Sequence, residues 1–509
     1  MSNEQRDKKP GFSEKTRFLE QLTGLTVYPR SVTQADGTTF FLARGPQGKV
    51  LGILGDTTGF ERNSQFAIRN SSFLCLLTPI NAATLRDRLP WLRPVPLGLR
   101  TSAGFGDRLG LATPGHVRAV RGTGIAPIFA QQSVRENART GRTPQQVMDE
   151  AMWGMFQEGW REPWGADADH LKTFADADTF AAAGYTFYTV DPGDHVDNAA
   201  HTASLDGLQD KLRAMPWADL EDSPDDLHTR YMDRCFEMET FTLEFDETTL
   251  LRAACKYGHA ILHAARMYRH LVATLGDRPP STGSGHAFEL EVSVDETETP
   301  TSPLEHFFIT SELRRLEVQW VSLAPRYVGR FEKGVDYIGD LDEFEAEFAR
   351  HAAIARVLGP YKLSLHSGSD KFSIYPTIAR HTRGLTHLKT AGTSYLEALR
   401  TIARVDPTLF RRILAYTIER YPKDRATYHV SAVLTNVSAP ETLSDDDLPV
   451  LLDQFDARQV LHVTFGSALD RFGDRMLAPL WEHEEVYYTI LESHFKHHLS
   501  SFTESRGRE

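Results

Sequence analysis

Only three cysteines occur in the 509 residues, Cys75, Cys235 and Cys255. An odd count with no C-x-x-C spacing excludes a disulfide framework and a thiolate metal or redox motif, and it points to a reducing compartment. Long apolar runs are missing as well. No stretch of about 18 apolar residues is present, so no membrane-spanning helix is expected. The N-terminal MSNEQRDKKPGFSEK lacks the apolar core of a secretory signal. Together these absences predict a cytoplasmic protein. Positive charge is in deficit, with 56 Lys and Arg against 69 Asp and Glu, a formal net charge of −13. That field repels nucleic acid and anionic membranes, so neither is an expected partner. Two catalytic signatures are absent, G-x-S-x-G and G-x-x-x-x-G-K-[ST]. GFGDRLG (104–110) is glycine-rich but follows no clear strand, which argues against nucleotide binding. His259 and His263 are four apart on a helical pattern, but Ala260 stands where a zinc hydrolase carries its Glu.

The composition that remains is ordinary for a folded protein, 41% apolar and 25% charged. The length is too great for one hydrophobic core, so a large domain with additions is expected. Residues 1–15 read as a disordered tail. Residues 16–95 hold TTFFLAR, KVLGILG and SSFLCLLT between turn residues, which predicts a small N-terminal α/β domain. GLRTSAGFGDRLGLATPGHVRAV then reads as a structured loop leading into a helix. Beyond it come eight short β-type runs, at 125–133, 164–170, 185–195, 288–298, 318–328, 361–370, 385–394 and 459–467, most followed by a helical pattern. Strands alternating with helices imply a parallel sheet, and eight of them are the number that closes a barrel. The predicted fold is therefore α/β, a (β/α)8 TIM-like barrel over 96–500. A helical insertion spans about 197–287 and returns through the polar linker DRPPSTGSGHA, and 501–509 form a polar tail. LAPLWEHEEVYYTILESHFKHHL predicts an amphipathic helix, with His494, His497 and His498 on a solvated face.

Seven of the eight runs begin apolar and end polar or charged. In a (β/α)8 barrel the strand C-termini open onto the active site, so these ends should carry the chemistry. The second run ends in Asp167, Asp169 and His170, and the sixth in His366, Ser367 and Asp370, followed by Lys371. Two histidines and several carboxylates at one mouth suit Zn, Mn, Fe, Co or Ni. The plainer reading is a set of hydrogen-bonded strand ends. The fourth run places Glu291, Ser293 and Asp295 on one face, with Glu296 and Glu298 beyond. If that face is interior, Glu291 is a buried carboxyl with a raised pKa, suited to proton transfer. Arg326, Lys333 and Lys389 offer local positive charge for a substrate carboxylate, with surface ion pairing as the alternative for each.

The segments AGFGDRLGLATPGHVRA, PIFAQQSVRENARTGRT, WGADADH, VDPGDHV, EVSVDETETPTSPLEH, FEKGVDY, LSLHSGSDKFSIYP and HLKTAGTSYLEALR resemble the tagaturonate/fructuronate epimerases of bacterial hexuronate metabolism. The resemblance runs from about residue 95 to about residue 500. It implies a metal-dependent epimerase that interconverts D-tagaturonate and D-fructuronate by inverting the fourth carbon, counting the ketone as the second. Matched motif by motif, it implies Asp169 and Glu291 as the acid/base pair and His170 and His366 as ligands of a divalent cation. It leaves a further ligand open among Glu332, Asp336 and His306. The expected partner is a small keto-sugar acid, and a homo-oligomer is left open. The rival readings are another metal-dependent barrel aldolase or isomerase of sugar acids, and a non-catalytic sugar-acid-binding regulator.

Overall fold

Eight parallel strands close into a barrel in the computed structural model, which describes residues 14–45, 48–61, 72–276 and 287–504. Most of the expected disordered tail, the linker 277–286 and residues 505–509 of the polar tail lie outside the described residues. Five strands precede the barrel: β1 (Thr26–Val27), β2 (Thr33–Ala35), β3 (Thr38–Gly45), β4 (Gly48–Leu54) and β5 (Ser72–Cys75). They form an antiparallel sheet ordered β1-β3-β4-β5, with β2 on β3. Strand side chains alternate between faces. Phe41, Ala43, Val50 and Leu74 therefore pack with Leu19 of the N-terminal helix, while Phe40, Leu42, Leu51 and Ile53 join the main core. The sheet is tied to the C-terminal helix where the Tyr28 hydroxyl and Arg44 Nη1 reach Glu484 Oε1 at 2.9 and 2.7 Å.

The barrel strands are β6 (Ser102–Gly104), β7 (Ala126–Ser133), β8 (Gly165–Leu171), β9 (Phe187–Val190), β12 (Glu289–Ser293), β13 (Ser322–Ala324), β14 (Lys362–Leu365) and β15 (Thr386–Lys389). A small hairpin, β10 (Cys235–Glu237) and β11 (Thr242–Glu244), lies outside it. Seven of the eight expected runs are barrel strands. The eighth, 459–467, is helical, crossing from helix Phe455–Val463 into helix Phe465–Glu482. A short apolar run such as VLHV serves equally in a strand or a buried helix, and here the helix wins. The eighth strand is instead β6, inside the segment read as a loop. It is three residues of Ser, Ala and Gly, with no apolar signal to mark it, and it pairs on both edges, with β15 and β7.

Between β9 and β12 the chain forms helices Leu205–Arg213 and Pro224–Tyr231, the hairpin, and a 29-residue helix, Glu247–Leu275. Asp246 caps that helix by accepting from Thr249 N, and Leu250, Ala253, Tyr257, Ala264 and Leu271 form part of its buried face. The last helix, Glu484–Glu504, packs on helix Thr113–Val120 at Gly115. A Cβ there would fall 2.6 Å from Leu491 Cβ, so only glycine permits the approach.

The barrel interior is polar. Alternation turns Glu289, Glu291 and Ser293 of β12, Lys362 and Ser364 of β14, His387 and Lys389 of β15 and Asp167 of β8 inward, all of them buried. Buried polar groups favour pairing, and part of this set pairs internally: Ser102 Oγ lies 2.9 Å from His387 Nδ1 and accepts from Lys362 Nζ at 3.0 Å.

Candidate active site

At the C-terminal ends of the strands is a narrow cavity, lined among others by Arg108, Glu136, Asp169, His170, Lys333 and His366. His366 follows β14 and Asp169 faces inward from β8. Simple alternation would turn His170 outward. The register of β8 against β9 shifts between Ala168 and Leu171, and His170 takes a left-handed φ of 53°. That bulge re-aims its ring toward the mouth.

The result is a pair of facing imidazoles. His366 Nδ1 lies 3.2 Å from His170 Nε2. Their outer nitrogens are both committed to carboxylates: His366 Nε2 donates to Glu291 Oε1 at 2.5 Å and His170 Nδ1 to Asp191 Oδ2 at 3.3 Å. A neutral ring held in this way carries its proton on the outside and a lone pair on the inside. Asp169 Oδ1 stands 4.0 Å from His170 Nε2, and Asp295 Oδ1 3.4 Å from His366 Nδ1. Two facing lone pairs ringed by carboxylates favour a positive charge between them, and His170 shows it. Burial lowers its pKa, but Asp169, the Asp191 hydrogen bond, Asp295 and Glu296 outweigh this and raise it to about 10. Outer carboxylates that fix the tautomer of inner histidines are the usual second layer of a metal site. The Asp169, His170 and His366 ligand atoms lie within 4.8 Å of one another. The donor set thus fits a divalent cation.

Beneath the histidines three carboxylates share one ammonium. Lys389 Nζ is 2.6 Å from Asp169, 2.9 Å from Asp167 and 2.8 Å from Glu291, and it also donates to Thr189 Oγ1 at 2.7 Å. The expected raised pKa of Glu291 is corrected here. Burial does push it up, but Lys389 and His366 hold it well below the usual carboxylate range. Asp169 is likewise held ionised, with burial outweighed by Lys389 and the two histidines. The group pushed up is Asp167, to about 6, by burial and by Asp169 and Glu291, against the pull of Lys389.

The expected carboxylate anchors divide. Lys389 has its N–H groups taken by the buried carboxylates. Arg326 follows β13 but is not among the described residues that line the cavity. Lys333 does line it, donating to Ser367 Oγ at 2.8 Å. None of the three open ligand candidates joins the histidines. Glu332 accepts from Ser431 and Gln459, Asp336 is exposed and accepts from Ser373, and His306 is buried against His351 and Tyr361, at 2.8 and 2.7 Å.

The expected solvated face of the C-terminal helix is also corrected. His498 is buried, its Nε2 accepts from Asp370 N at 2.9 Å, and its Nδ1 donates to the His494 carbonyl. His494 Nε2 reaches Asp370 Oδ1 at 3.0 Å, and only His497 is exposed, stacked on Phe372. The cluster resembles a second ligand set, but both ring nitrogens of His498 are occupied, so it holds the loop after His366 rather than a cation. Lys371 pins that loop from the other side by donating to the carbonyls of Glu332, Val335 and Ser369, and burial pushes its pKa down to about 8.

Arg108 and His462 are among the lining residues that sequence reasoning missed. Arg108 follows β6 within GFGDRLG, where Asp107 accepts from the backbone N–H of Leu109, Gly110 and Ala112 and so shapes the turn. His462 sits in the helix mistaken for a strand. Neither carried a strand-end signal.

A closed parallel barrel with its polar cluster and cavity at the strand C-termini defines a (β/α)8-barrel enzyme. A family model described as tagaturonate epimerase matches residues 28–502. A tagaturonate/fructuronate epimerase of Thermotoga maritima is 44% identical over 488 residues, which are 94% of this chain and 96% of that protein. Crystal structures of a fructuronate-tagaturonate epimerase from Cohnella laeviribosi superpose over 96% of this chain and 99% of theirs at 38% identity. Their TM-scores are 0.88 for a glycerol complex and 0.87 for the native form. The chain belongs to the tagaturonate epimerase family.

Proposed function

We infer that this chain is an isomerase interconverting D-tagaturonate and D-fructuronate, with a divalent cation bound by His170 and His366 beside Asp169, and that it works in the cytoplasm. Family membership supports the reaction. The observation that carries the metal reading is the 3.2 Å approach of His366 Nδ1 to His170 Nε2, with both outer nitrogens held by carboxylates. The three thiols, none in a disulfide, suit a reducing compartment. Among the described residues no helix is long and apolar enough to cross a membrane.

The inverted carbon bears a hydrogen β to the ketone, which the ketone does not acidify. Direct proton exchange there needs two groups on opposite faces. Of the implied pair only Asp169 lines the cavity, while Glu291 is wholly buried behind His366. The arrangement therefore favours carbon–carbon cleavage. Asp169, ionised, accepts the proton of the C4 hydroxyl. The C3–C4 bond breaks, its electron pair passes to the ketone half as an enediolate, and C4 becomes an aldehyde. The aldehyde presents its other face, the bond re-forms, and Asp169 returns the proton. When bound, the cation supplies Lewis-acid stabilisation of negative charge developing on the ketone oxygen. Glu291 keeps the His366 tautomer fixed, and Lys389 keeps Asp169 ionised and in place.

The test is incubation of the metal-loaded protein with D-tagaturonate and separation of the products. D-Fructuronate should appear until equilibrium is reached. Its absence with each of Zn, Mn, Fe, Co and Ni, or accumulation of three-carbon fragments, would sink the assignment.

A further inference from the structure

We propose that Arg108 and His462 form a carboxylate-binding subsite that selects a sugar acid over the neutral sugar of the same skeleton. This rests on the reaction inferred above.

Arg108 is a fixed fork with one tine unused. Its side chain is 5% exposed, and Nε and Nη2 both donate to Glu136 Oε1, at 2.9 and 2.6 Å. Glu136 is itself set by the helix it begins. Ser133 and Glu136 form the capping box of helix Val134–Thr140. The guanidinium centre lies 3.7 Å from the centroid of the Phe465 ring. Packing, hydrogen bonding and stacking thus orient the group, and its Nη1 is buried without a partner among the described residues. An unpaired buried N–H is costly, and this one, on a residue that lines the cavity, is available to an acceptor from outside the chain.

His462 repeats the pattern beside it. It is buried, and its Nδ1 has no partner among the described residues. Burial and the neighbouring Arg108 and Lys333 keep the ring neutral, so one nitrogen retains a proton to donate. Gly392 keeps the space between the two open. At its φ of +93°, an added Cβ would fall 2.5 Å from His462 Cε1 and 2.9 Å from Arg108 Nη2. Both residues line the same cavity as His170 and His366, and Lys333 and Arg135 add positive charge to it. Glu136 is neutralised by Arg108, so the subsite is a local cationic exception on a chain of net charge −13. Unpaired donors in cationic surroundings recognise an anionic oxygen pair. In the cleavage route that pair belongs to the half carrying the aldehyde, which must stay bound while C4 turns over.

Calorimetric titration of the metal-loaded protein with D-galactonate and with the neutral hexitol galactitol tests this, in the parent, in Arg108→Gln and in His462→Phe. The parent should bind the hexonate at least about tenfold more tightly, and each variant should lose most of that preference. Arg108→Gln strips Glu136 of its cation, so the double variant Arg108→Gln/Glu136→Gln and the far-UV spectrum separate lost binding from lost folding. His462→Phe keeps a ring of similar size and carries the test on its own. No preference in the parent, or a preference that survives both variants, overturns the proposal. A parent that prefers the hexonate yet leaves tagaturonate unchanged keeps the subsite and removes the reaction.

Discussion

His366 Nε2 lies 2.5 Å from Glu291 Oε1, so a carboxylate wholly sealed from solvent sets which nitrogen of His366 faces the cavity. The role implied for Glu291 by resemblance was proton transfer to substrate. Its position behind the histidine favours orientation instead. Glu291→Gln should then weaken cation affinity by about 10–100-fold, the usual effect of losing an outer partner. Competition against a coloured chelator measures it. Unchanged affinity with a collapsed kcat would restore the proton-carrier role.

Removing an inner nitrogen should have a larger effect. His366→Ala is expected to retain no stoichiometric metal after gel filtration, while the far-UV spectrum stays that of the parent. Activity should fall by about 10³-fold or more, because a site with too few protein ligands cannot keep a catalytic cation. Metal content by mass spectrometry, beside turnover before and after chelation, decides the matter. Full turnover in the chelated variant would refute the assignment of this residue.

Lys389 pairs directly with Asp167, Asp169 and Glu291. Replacing it with methionine leaves these buried carboxylates without their cation. Breaking a buried pair from one side costs about 3–5 kcal/mol. Urea unfolding of Lys389→Met should show a loss of that order. A loss below about 1 kcal/mol would mean that the cluster is neutralised by another group.

The two chemical routes differ in isotope content. Cleavage and re-formation of C3–C4 leaves the C4 hydrogen on its carbon, so turnover in D2O should yield fructuronate without deuterium at C4. Proton NMR of the isolated product reads this directly. Deuterium at C4 would establish direct proton exchange and require a second proton carrier at the cavity.

Several buried histidines make the fold sensitive to acid. Burial depresses His116 to about 4 and His351, His387 and His498 to about 3, from an ordinary value of 6.5. Between pH 6.5 and about 4 the unfolded chain binds protons at these sites and the folded chain does not. Stability therefore falls with falling pH, by up to about 1.4 kcal/mol per pH unit for each group. Asp167, raised to about 6, and Glu347, raised to about 7, act in the opposite sense but are fewer. The urea midpoint should drop steadily from about pH 6 to pH 4, and a flat or rising midpoint there would contradict the buried neutral rings.

Much of the architecture can be read along the chain because a barrel strand announces itself twice, by an apolar start and by a polar end at the mouth. Asp169, His170 and His366 were found that way. β6 escaped because Ser, Ala and Gly carry neither mark, and 459–467 misled because helix and strand bury the same apolar residues. Arg108 and His462 belong to a loop and a helix whose chemistry is silent until they meet.

Composition, charge and strand-end pattern were enough for the class of fold and for the kind of side chain gathered at its mouth, since both follow from local periodicity. The ionisation of Glu291, the inward turn of His170 and the pairing of Arg108 with Glu136 came only from long-range neighbours. Lys389 and His366 lie on other strands, and the β8 bulge appears only against β9. Electrostatic energies depend on distance through space, and spacing along the chain does not contain that distance.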